Sequence, residues 1–252
     1  MNRFAVIITH NRPELLHMCV GAIAPQVDAV IVLDNASDPA VTRDQVASSA
    51  RAGRIDADLS GLRGQINGCR TMVINEPTQP PDLPLLWRMG LGLARALYLG
   101  DHDNRNGNPG GSDYHVAMLC DDAIVPSGWF SVVAAAMVQS GAAAGCTDPF
   151  NRPGYQVLKR SPDNDIMGRM PGHAYMLNAT PPEPDSSMRW WWCDTDMDFQ
   201  ARKTGGMIMV GSDRLGVQNE RPNEYTNAKP ELAEQAGRDA AAFVAKWGFR
   251  PW

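Results

Sequence analysis

Short apolar runs recur along the first half of the chain, and most are followed by polar turn residues and a segment with helical spacing. Continuous apolar runs of this length, rich in β-branched residues, predict strands buried on both faces. They lie at 4–9, 29–34, 71–77 and 114–120. Predicted helices lie at 13–26, with Pro13 at the first helical position, and at 85–100 and 128–141. This alternation predicts an α/β fold with parallel crossovers and a mostly parallel, open twisted sheet flanked by helices.

The pattern changes after residue 145. An irregular segment (147–172) leads into a brief strand at 173–178, a proline-rich stretch, and a tryptophan block that runs into an acidic helix start at 190–206. A late strand and an alanine-rich amphipathic helix follow. Because no repeat or clean linker interrupts the chain, we expect a single domain over 1–252, with functional halves at 1–145 and 146–252. Turn formers at 101–113 predict a mobile surface loop.

Composition narrows the choice of partners and compartment. The formal net charge is −5, with 28 acidic and 23 basic side chains, so no basic excess indicates nucleic acid or an anionic membrane as a partner. The five cysteines are odd in number and form no CxxC pair, which favours a reducing compartment. No apolar stretch is long enough to span a bilayer. We therefore expect a cytoplasmic protein.

Polar side chains follow three of the predicted strands. Ligands of open parallel sheets bind beyond the carboxyl ends of the strands. These ends hold Thr9 to Arg12, Asp34 to Asp38, and the pair Asp121 and Asp122. The first two sets suit a base and a ribose. Neither a GxGxxG nor a GxxxxGK[ST] loop is present, which disfavours dinucleotide oxidoreductases and P-loop NTPases.

Two acidic clusters each allow two interpretations. Asp121 and Asp122 either hold a divalent cation, which would offset their mutual repulsion, or cap the turn before Trp129. Asp194, which follows the tryptophan block, is a helix cap in the simpler interpretation and a general base in the other. An EF-hand is excluded, because the glycine and glutamate that its loop requires are absent.

Taken in order, these segments resemble the inverting, nucleotide-sugar-dependent glycosyltransferases of family 2, which have the GT-A fold. The resemblance covers nearly the whole chain. It rests on "AVIITHNRPELLHMCVGAI" with "VDAVIVLDNASD", on "VAMLCDDAIVPSGW" at the place of the DxD segment, on "WWWCDTDMDFQARKTGG" at the later acidic motif, and on "FVAKWG" in the C-terminal helix. It implies transfer of a sugar from a nucleotide diphosphate sugar to an acceptor hydroxyl with inversion.

The resemblance also implies a donor site. Asp121 would contact ribose or metal, Asp122 would bind a Mn²⁺ or Mg²⁺ ion that bridges the diphosphate, and Arg88 would be a phosphate partner. Asn219 stands near the place where many members have a metal-binding histidine, and its carbonyl oxygen would be a weak ligand. The nucleoside would be held by Thr9, Asn11, Arg12, Asp34 and Asn35.

On the acceptor side, the resemblance implies that Asp194 is the base that deprotonates the acceptor hydroxyl. Cys193 stands where the family has a glutamate, which leaves Asp196 as a second candidate; alternatively Asp196 positions the helix or the acceptor. The adjacent Trp190, Trp191 and Trp192 either form a platform for a sugar ring or pack in the core.

Other functions remain open from the sequence. A catalytically silent GT-A-like module that binds nucleotide sugars is the first alternative. A sugar nucleotidyltransferase is less favoured, because the glycine- and arginine-rich loop that it needs after the first strand is absent. A structural protein with this fold and no ligand is a third. The donor (UDP-, GDP- or dTDP-linked), the acceptor and the oligomeric state are not determined by the sequence.

Overall fold

The computed structural model describes residues 2–59, 69–103, 114–220 and 229–250. Its strands are β1 (Asn2–Thr9), β2 (Ala29–Asp34), β3 (Arg70–Asn75), β4 (Tyr114–Cys120), β5 (Ala123–Ile124), β6 (Ala144–Thr147), β7 (Gln156–Lys159), β8 (Ala174–Asn178), β9 (Met207–Val210) and β10 (Gln218–Asn219). Its helices are α1 (Pro13–Ile23), α2 (Arg43–Leu59), α3 (Leu83–Asp103), α4 (Trp129–Ser140), α5 (Cys193–Thr204) and α6 (Pro230–Trp247), with short 3-10 turns at Ala24–Gln26 and Ile166–Gly168.

Eight of these strands form one sheet in the order β3-β2-β1-β4-β8-β6-β9-β7. The first four strands in this order run parallel to one another, and β6 runs parallel to β9. The strand β8 runs antiparallel to β4 and β6, and β7 runs antiparallel to β9. The sheet is therefore mostly parallel in its first half and mixed in its second. The strands β5 and β10 form a small separate antiparallel pair.

Alternate side chains of β1 show how the sheet is covered on both faces. Phe4 and Val6 point into a core formed with α3, α5 and α6, whereas Ala5 and Ile7 point into a core formed with α1, α2 and α4. Successive side chains of a strand face opposite sides, so a strand covered on both faces must be apolar throughout. This burial explains the continuous apolar runs.

The sequence prediction lacked helix α2 and the strands β5, β6, β7 and β10. Over 43–53, the part of α2 whose side chains are described, Val46 and Ala50 are the buried hydrophobic residues, which leaves only a weak apolar pattern there. Strand β7 lies within the segment predicted to be irregular, at the edge of the sheet, where its side chains are only partly covered. Helix α3 extends to Asp103, so the predicted loop at 101–113 begins later than expected. Its remainder, 104–113, lies outside the described residues.

Two expectations from composition can be compared with the structure. No helix in the described ranges is long and apolar enough to cross a membrane. The five cysteines, all of which are among the described residues, form no disulfide bond. The cytoplasmic location and the division into two functional halves stay predictions.

Candidate functional site

A cavity of about 640 Å³ opens beyond the carboxyl ends of β1 and β4. These two strands are neighbours in the sheet, but the chain leaves β1 towards β2 on the other side. Such a switch in strand order leaves a crevice between the departing connections, where open α/β sheets bind ligands. Residues from both acidic clusters, Asp121, Asp122 and Asp194, line this one cavity.

The adjacent carboxylates after β4 are held by the last residue of β1 and by a residue that follows this strand. The Thr9 hydroxyl donates to Asp121 Oδ2 at 2.8 Å, and Arg12 Nη1 lies 3.3 Å from one oxygen of each carboxylate. Burial raises the pKa of Asp121 to about 6, although Thr9 and Arg12 act in the opposite direction. The guanidinium of Arg12 thus offsets part of the repulsion that Asp121 and Asp122 create.

Asn219 comes close to this pair through the small β5–β10 ribbon. It pairs with Ala123, and the next amide in the chain, that of Glu220, donates to the Asp122 carbonyl at 3.1 Å. Asn219 lines the cavity, and its buried Oδ1 finds no hydrogen-bond partner among the described residues. A buried oxygen of this kind costs free energy unless it is paired, so it is available to a ligand.

These oxygens fit the implied cation. The described residues contain no group of three or more histidine, cysteine, aspartate or glutamate side chains placed to hold a metal ion. Two carboxylates and one amide oxygen are nevertheless a suitable set for Mg²⁺, which keeps several waters and takes substrate phosphates as further ligands. Asp121, Asp122 and Asn219 are the residues that would hold it.

The predicted nucleoside-binding residues divide into two groups. Thr9, Arg12 and Asn35 line the cavity. Asn11 and Asp34 do not: the Asn11 side chain accepts from the Asp38 amide at 2.7 Å, and the fully buried Asp34 accepts from the amides of Ser37 and Val41. Both support the turn after β2. Direct contact with a nucleotide, which the sequence predicted for them, does not follow from this placement.

Arg88 also lies outside this cavity. It donates to the Pro184 carbonyl at 3.0 Å and lines a second cavity, between α3 and the proline-rich segment. A helix that follows β3 can direct its side chains towards the switch point or away from it, and the sequence pattern did not distinguish these directions. The phosphate-binding role predicted for Arg88 is not supported by its position.

The second acidic cluster begins at the first turn of α5. Asp194 is partly exposed to the cavity, and burial raises its pKa, whereas the charge of Arg169 lowers it. A Cβ atom at Gly172 would lie 2.3 Å from Asp194 Oδ2, so a side chain at residue 172 would displace the carboxylate. Partial burial raises the pKa of the Cys120 thiol, and the charges of Asp122, Asp121 and Asp194 raise it further, because both clusters are close to it.

Asp196 has a different environment. It is fully buried and does not line the cavity. Its Oδ1 accepts from the Trp247 indole at 2.8 Å, and its Oδ2 accepts from Gln200 at 2.6 Å and Lys246 at 3.0 Å. These contacts tie the start of α5 to the end of α6. A direct catalytic role would require contact with the cavity, so the geometry supports only the alternative in which Asp196 positions the helix.

The three adjacent tryptophans all line the cavity but are buried to different extents. Trp192 is almost fully buried, packs on Phe243 at a ring separation of 5.4 Å, and has a left-handed backbone with φ of 68°. Trp190 and Trp191 are partly exposed. The two interpretations of this block therefore apply to different residues, with Trp192 in the core and Trp190 and Trp191 available to a ligand.

Several cavity residues were not among the predicted site residues. Arg169 and His173 come from the segment before β8, and burial lowers the pKa of His173, which favours the neutral imidazole. The Thr195 hydroxyl is buried without a hydrogen-bond partner among the described residues. Thr195 lies inside the quoted acidic motif and could have been found there. Arg169 and His173 have no local signal, because only the pairing of β8 with β4 brings them to the cavity.

Comparisons with known proteins support the fold. No family model matches the chain, and no curated protein matches it. Among solved structures, S. aureus TarS 1-349 in complex with UDP aligns at 12% identity with a TM-score of 0.54, covering 99% of this chain and 72% of that one. The complex with UDP-GlcNAc aligns at 12% identity with a TM-score of 0.50, covering 99% and 74%. A longer TarS structure aligns at 11% identity with a TM-score of 0.50, and the alignment covers 99% of this chain and 44% of that one. The predicted GT-A-type fold is confirmed.

Proposed function

We propose that the protein is a glycosyltransferase that moves a sugar from a nucleotide diphosphate sugar to an acceptor hydroxyl with inversion. One observation supports this function most strongly: the two acidic clusters, separated by more than seventy residues in sequence, line a single cavity at the switch point of the sheet. UDP and UDP-GlcNAc, the ligands named for TarS, are a nucleoside diphosphate and a nucleotide sugar, which supports the same class of donor.

The β1 and β4 ends of the cavity form the donor side. Thr9 and Asn35 line the part of the cavity that would take a base and ribose, and Arg12 offers a cation to the diphosphate. Asp121, Asp122 and Asn219 would hold Mn²⁺ or Mg²⁺. Such an ion, when bound, stabilises the charge that develops on the leaving diphosphate. Arg12 lies across both carboxylates, so its guanidinium must share them with the cation or turn to the phosphates.

The α5 end of the cavity forms the acceptor side. The Asp194 carboxylate takes the proton of the acceptor hydroxyl as that oxygen bonds to the anomeric carbon of the sugar. The bond from this carbon to the diphosphate breaks at the same time, and the nucleoside diphosphate leaves with the electron pair. Attack from the face opposite the leaving group inverts the configuration. Trp190 and Trp191 offer aromatic faces to the sugar or the acceptor, and Asp196 positions the start of α5.

A panel of UDP-, GDP- and dTDP-sugars, each with and without Mn²⁺, tests the proposal in two steps. Thermal denaturation is measured first, and release of nucleoside diphosphate second. We expect one class of donor to raise Tm by about 5–10 °C at a concentration 100 times its Kd. The same donor should then be turned over.

The possible results separate the alternatives. A donor that binds but loses no sugar to water or to any hydroxyl acceptor would indicate the catalytically silent binding module. If no nucleotide or nucleotide sugar raises Tm, the fold is present without the ligand, and the proposal is wrong. Pyrophosphate formation or consumption in place of diphosphate release would indicate the nucleotidyltransferase.

A further inference from the structure

One face of the C-terminal helix α6 makes a series of contacts with the tryptophan block. Asp239, Phe243, Lys246 and Trp247 lie four, three and one residues apart, which places them along one side of a helix. The structure connects this side to Arg189–Trp192 and to the first turn of α5. The sequence showed α6 only as an alanine-rich amphipathic helix, with no indication that its polar residues reach the site.

Asp239 is the centre of these contacts. It is fully buried, and its Oδ2 accepts from the backbone amides of Trp190 at 2.7 Å and Trp191 at 2.8 Å. Its Oδ1 accepts from the amide of Arg189 at 3.1 Å and the side chain of Gln235 at 2.6 Å. A buried carboxylate is costly unless its oxygens are paired, and here it is paired with three consecutive backbone amides, of which those of Trp190 and Trp191 belong to residues that line the cavity.

The next two turns of α6 hold Phe243, Lys246 and Trp247. Phe243 packs against the ring of Trp192, whose left-handed backbone is costly for a bulky residue and persists only when its surroundings fix it. The Trp192 ring also lies 5.6 Å from the guanidinium of Arg169, the cation that lowers the pKa of Asp194. Lys246 and Trp247 bind Asp196, two residues after Asp194.

We propose that Asp239 is a positioning residue for the transfer reaction. Through the amides of Arg189, Trp190 and Trp191 it fixes the tryptophan block and the start of α5, and thereby the position of Asp194 in the cavity. This inference rests on the proposed function for its catalytic consequence. The geometric part, that Asp239 restrains these amides, stands independently of any activity. None of the hydrogen bonds of Asp239 described above is made with a residue on the donor side of the cavity.

Asp239→Asn is the main variant, because an amide of the same shape presents a donor where the carboxylate accepts. Glu231→Gln is the matched control: it makes the same chemical change on an exposed residue of the same helix. Gln235→Ala removes only one of the four hydrogen bonds to Asp239 and serves if the main variant does not fold.

Hydrogen exchange measured by mass spectrometry on the segment 189–191 tests the restraint without any substrate. In Asp239→Asn we expect these amides to exchange about tenfold faster or more, since hydrogen bonds to a charged acceptor are among the stronger ones. Gln235→Ala should shift exchange in the same direction by less, and Glu231→Gln should match the wild type. Unchanged exchange in both Asp239→Asn and Gln235→Ala would overturn the proposal.

Release of nucleoside diphosphate from the donor panel, measured well below Tm, tests the catalytic part. We expect Asp239→Asn to lower kcat by about 100-fold, the cost of a misplacement of about 1 Å, with the KM for the donor within about twofold of the wild type. A lower Tm with unchanged kcat would mean a structural role only and would overturn the positioning role. If the wild type releases no nucleoside diphosphate from any donor, the proposed function is wrong. The hydrogen-exchange measurement still decides whether Asp239 restrains the amides of 189–191.

Discussion

At the scale of single residues, the environment of Asp194 determines when it can act as a base. Its carboxylate must be ionised to accept a proton. Burial disfavours the ionised form, and the positive charge of Arg169 favours it. Because burial is the larger effect, the pKa of Asp194 lies above the ordinary value for aspartate, and its carboxylate is mostly ionised only at a pH above that raised value.

The pH dependence of kcat follows from this. Activity should be full above the raised pKa of Asp194 and should fall as the pH drops through it. Arg169→Met removes the effect that lowers this pKa, so the acidic limb of the kcat profile should move to higher pH. Rate profiles of the wild type and the variant measure the shift. A limb that stays in place, or moves to lower pH, would contradict the role of Arg169.

The unpaired oxygen of Asn219 leads to a second prediction at this scale. Asn219→Asp adds a carboxylate beside Asp122 and should tighten Mn²⁺ binding. Asn219→Leu removes the oxygen and should weaken Mn²⁺ binding by about 10–100-fold, the range found when supporting groups of metal sites are removed. Calorimetric titration of Mn²⁺ in the presence of UDP measures both. Equal affinities in the three proteins would exclude Asn219 as a ligand.

At the scale of elements, α5 is held by its buried charges as well as by its apolar side chains. Asp198 and Arg202, one turn apart, form a two-point ion pair with both side chains fully buried, and Asp198 also accepts from the Met170 amide at 2.9 Å. Met170 directly follows Arg169. The pair therefore links α5 to the segment that brings Arg169 to the cavity.

Breaking this pair should destabilise the protein strongly. Arg202→Met leaves the Asp198 carboxylate buried without its cation, which typically costs about 3–5 kcal/mol. Denaturant unfolding measures the change in the free energy of unfolding. Arg3→Met, which breaks the half-exposed pair with Asp28, is the control and should cost about 1 kcal/mol or less. Similar losses in both variants would show that the buried pair has no special importance.

Whether an element could be predicted from the sequence depended on whether its residues show a local apolar pattern or whether it forms through contacts between distant segments. The strands β1, β2 and β4 are buried on both faces, so their apolar runs identify them directly. Helix α2 was missed because few residues of its described part, 43–53, are apolar and buried. The central place of β8, antiparallel between β4 and β6, depends on pairing between distant segments, which local periodicity cannot show. Asp121, Asp122 and Asp194 could be predicted as site residues because they stand in local sequence motifs. Arg169 and Asp239 could not, because their roles depend on contacts between distant segments.

At the scale of the whole molecule, the sheet brings together groups that are far apart along the chain. The β1 and β4 ends supply Thr9, Arg12 and the adjacent carboxylates, and the segments around β8 and α5 supply Arg169 and Asp194. The helix α6 lies behind this second group. We propose that the two acidic clusters have separate functions in one cavity: one binds the donor with its cation, and the other takes a proton from the acceptor.

Donor affinity and turnover of Asp122→Asn and Asp194→Asn, measured side by side with the best donor from the panel, test this claim most directly. Asp194→Asn should bind the donor with a Kd within about twofold of the wild type while kcat falls by about 10²–10⁴-fold, the usual contribution of a general base. Asp122→Asn should instead weaken Mn²⁺-dependent donor binding. An Asp194→Asn protein with wild-type turnover, or one that loses donor binding as Asp122→Asn does, would contradict the account.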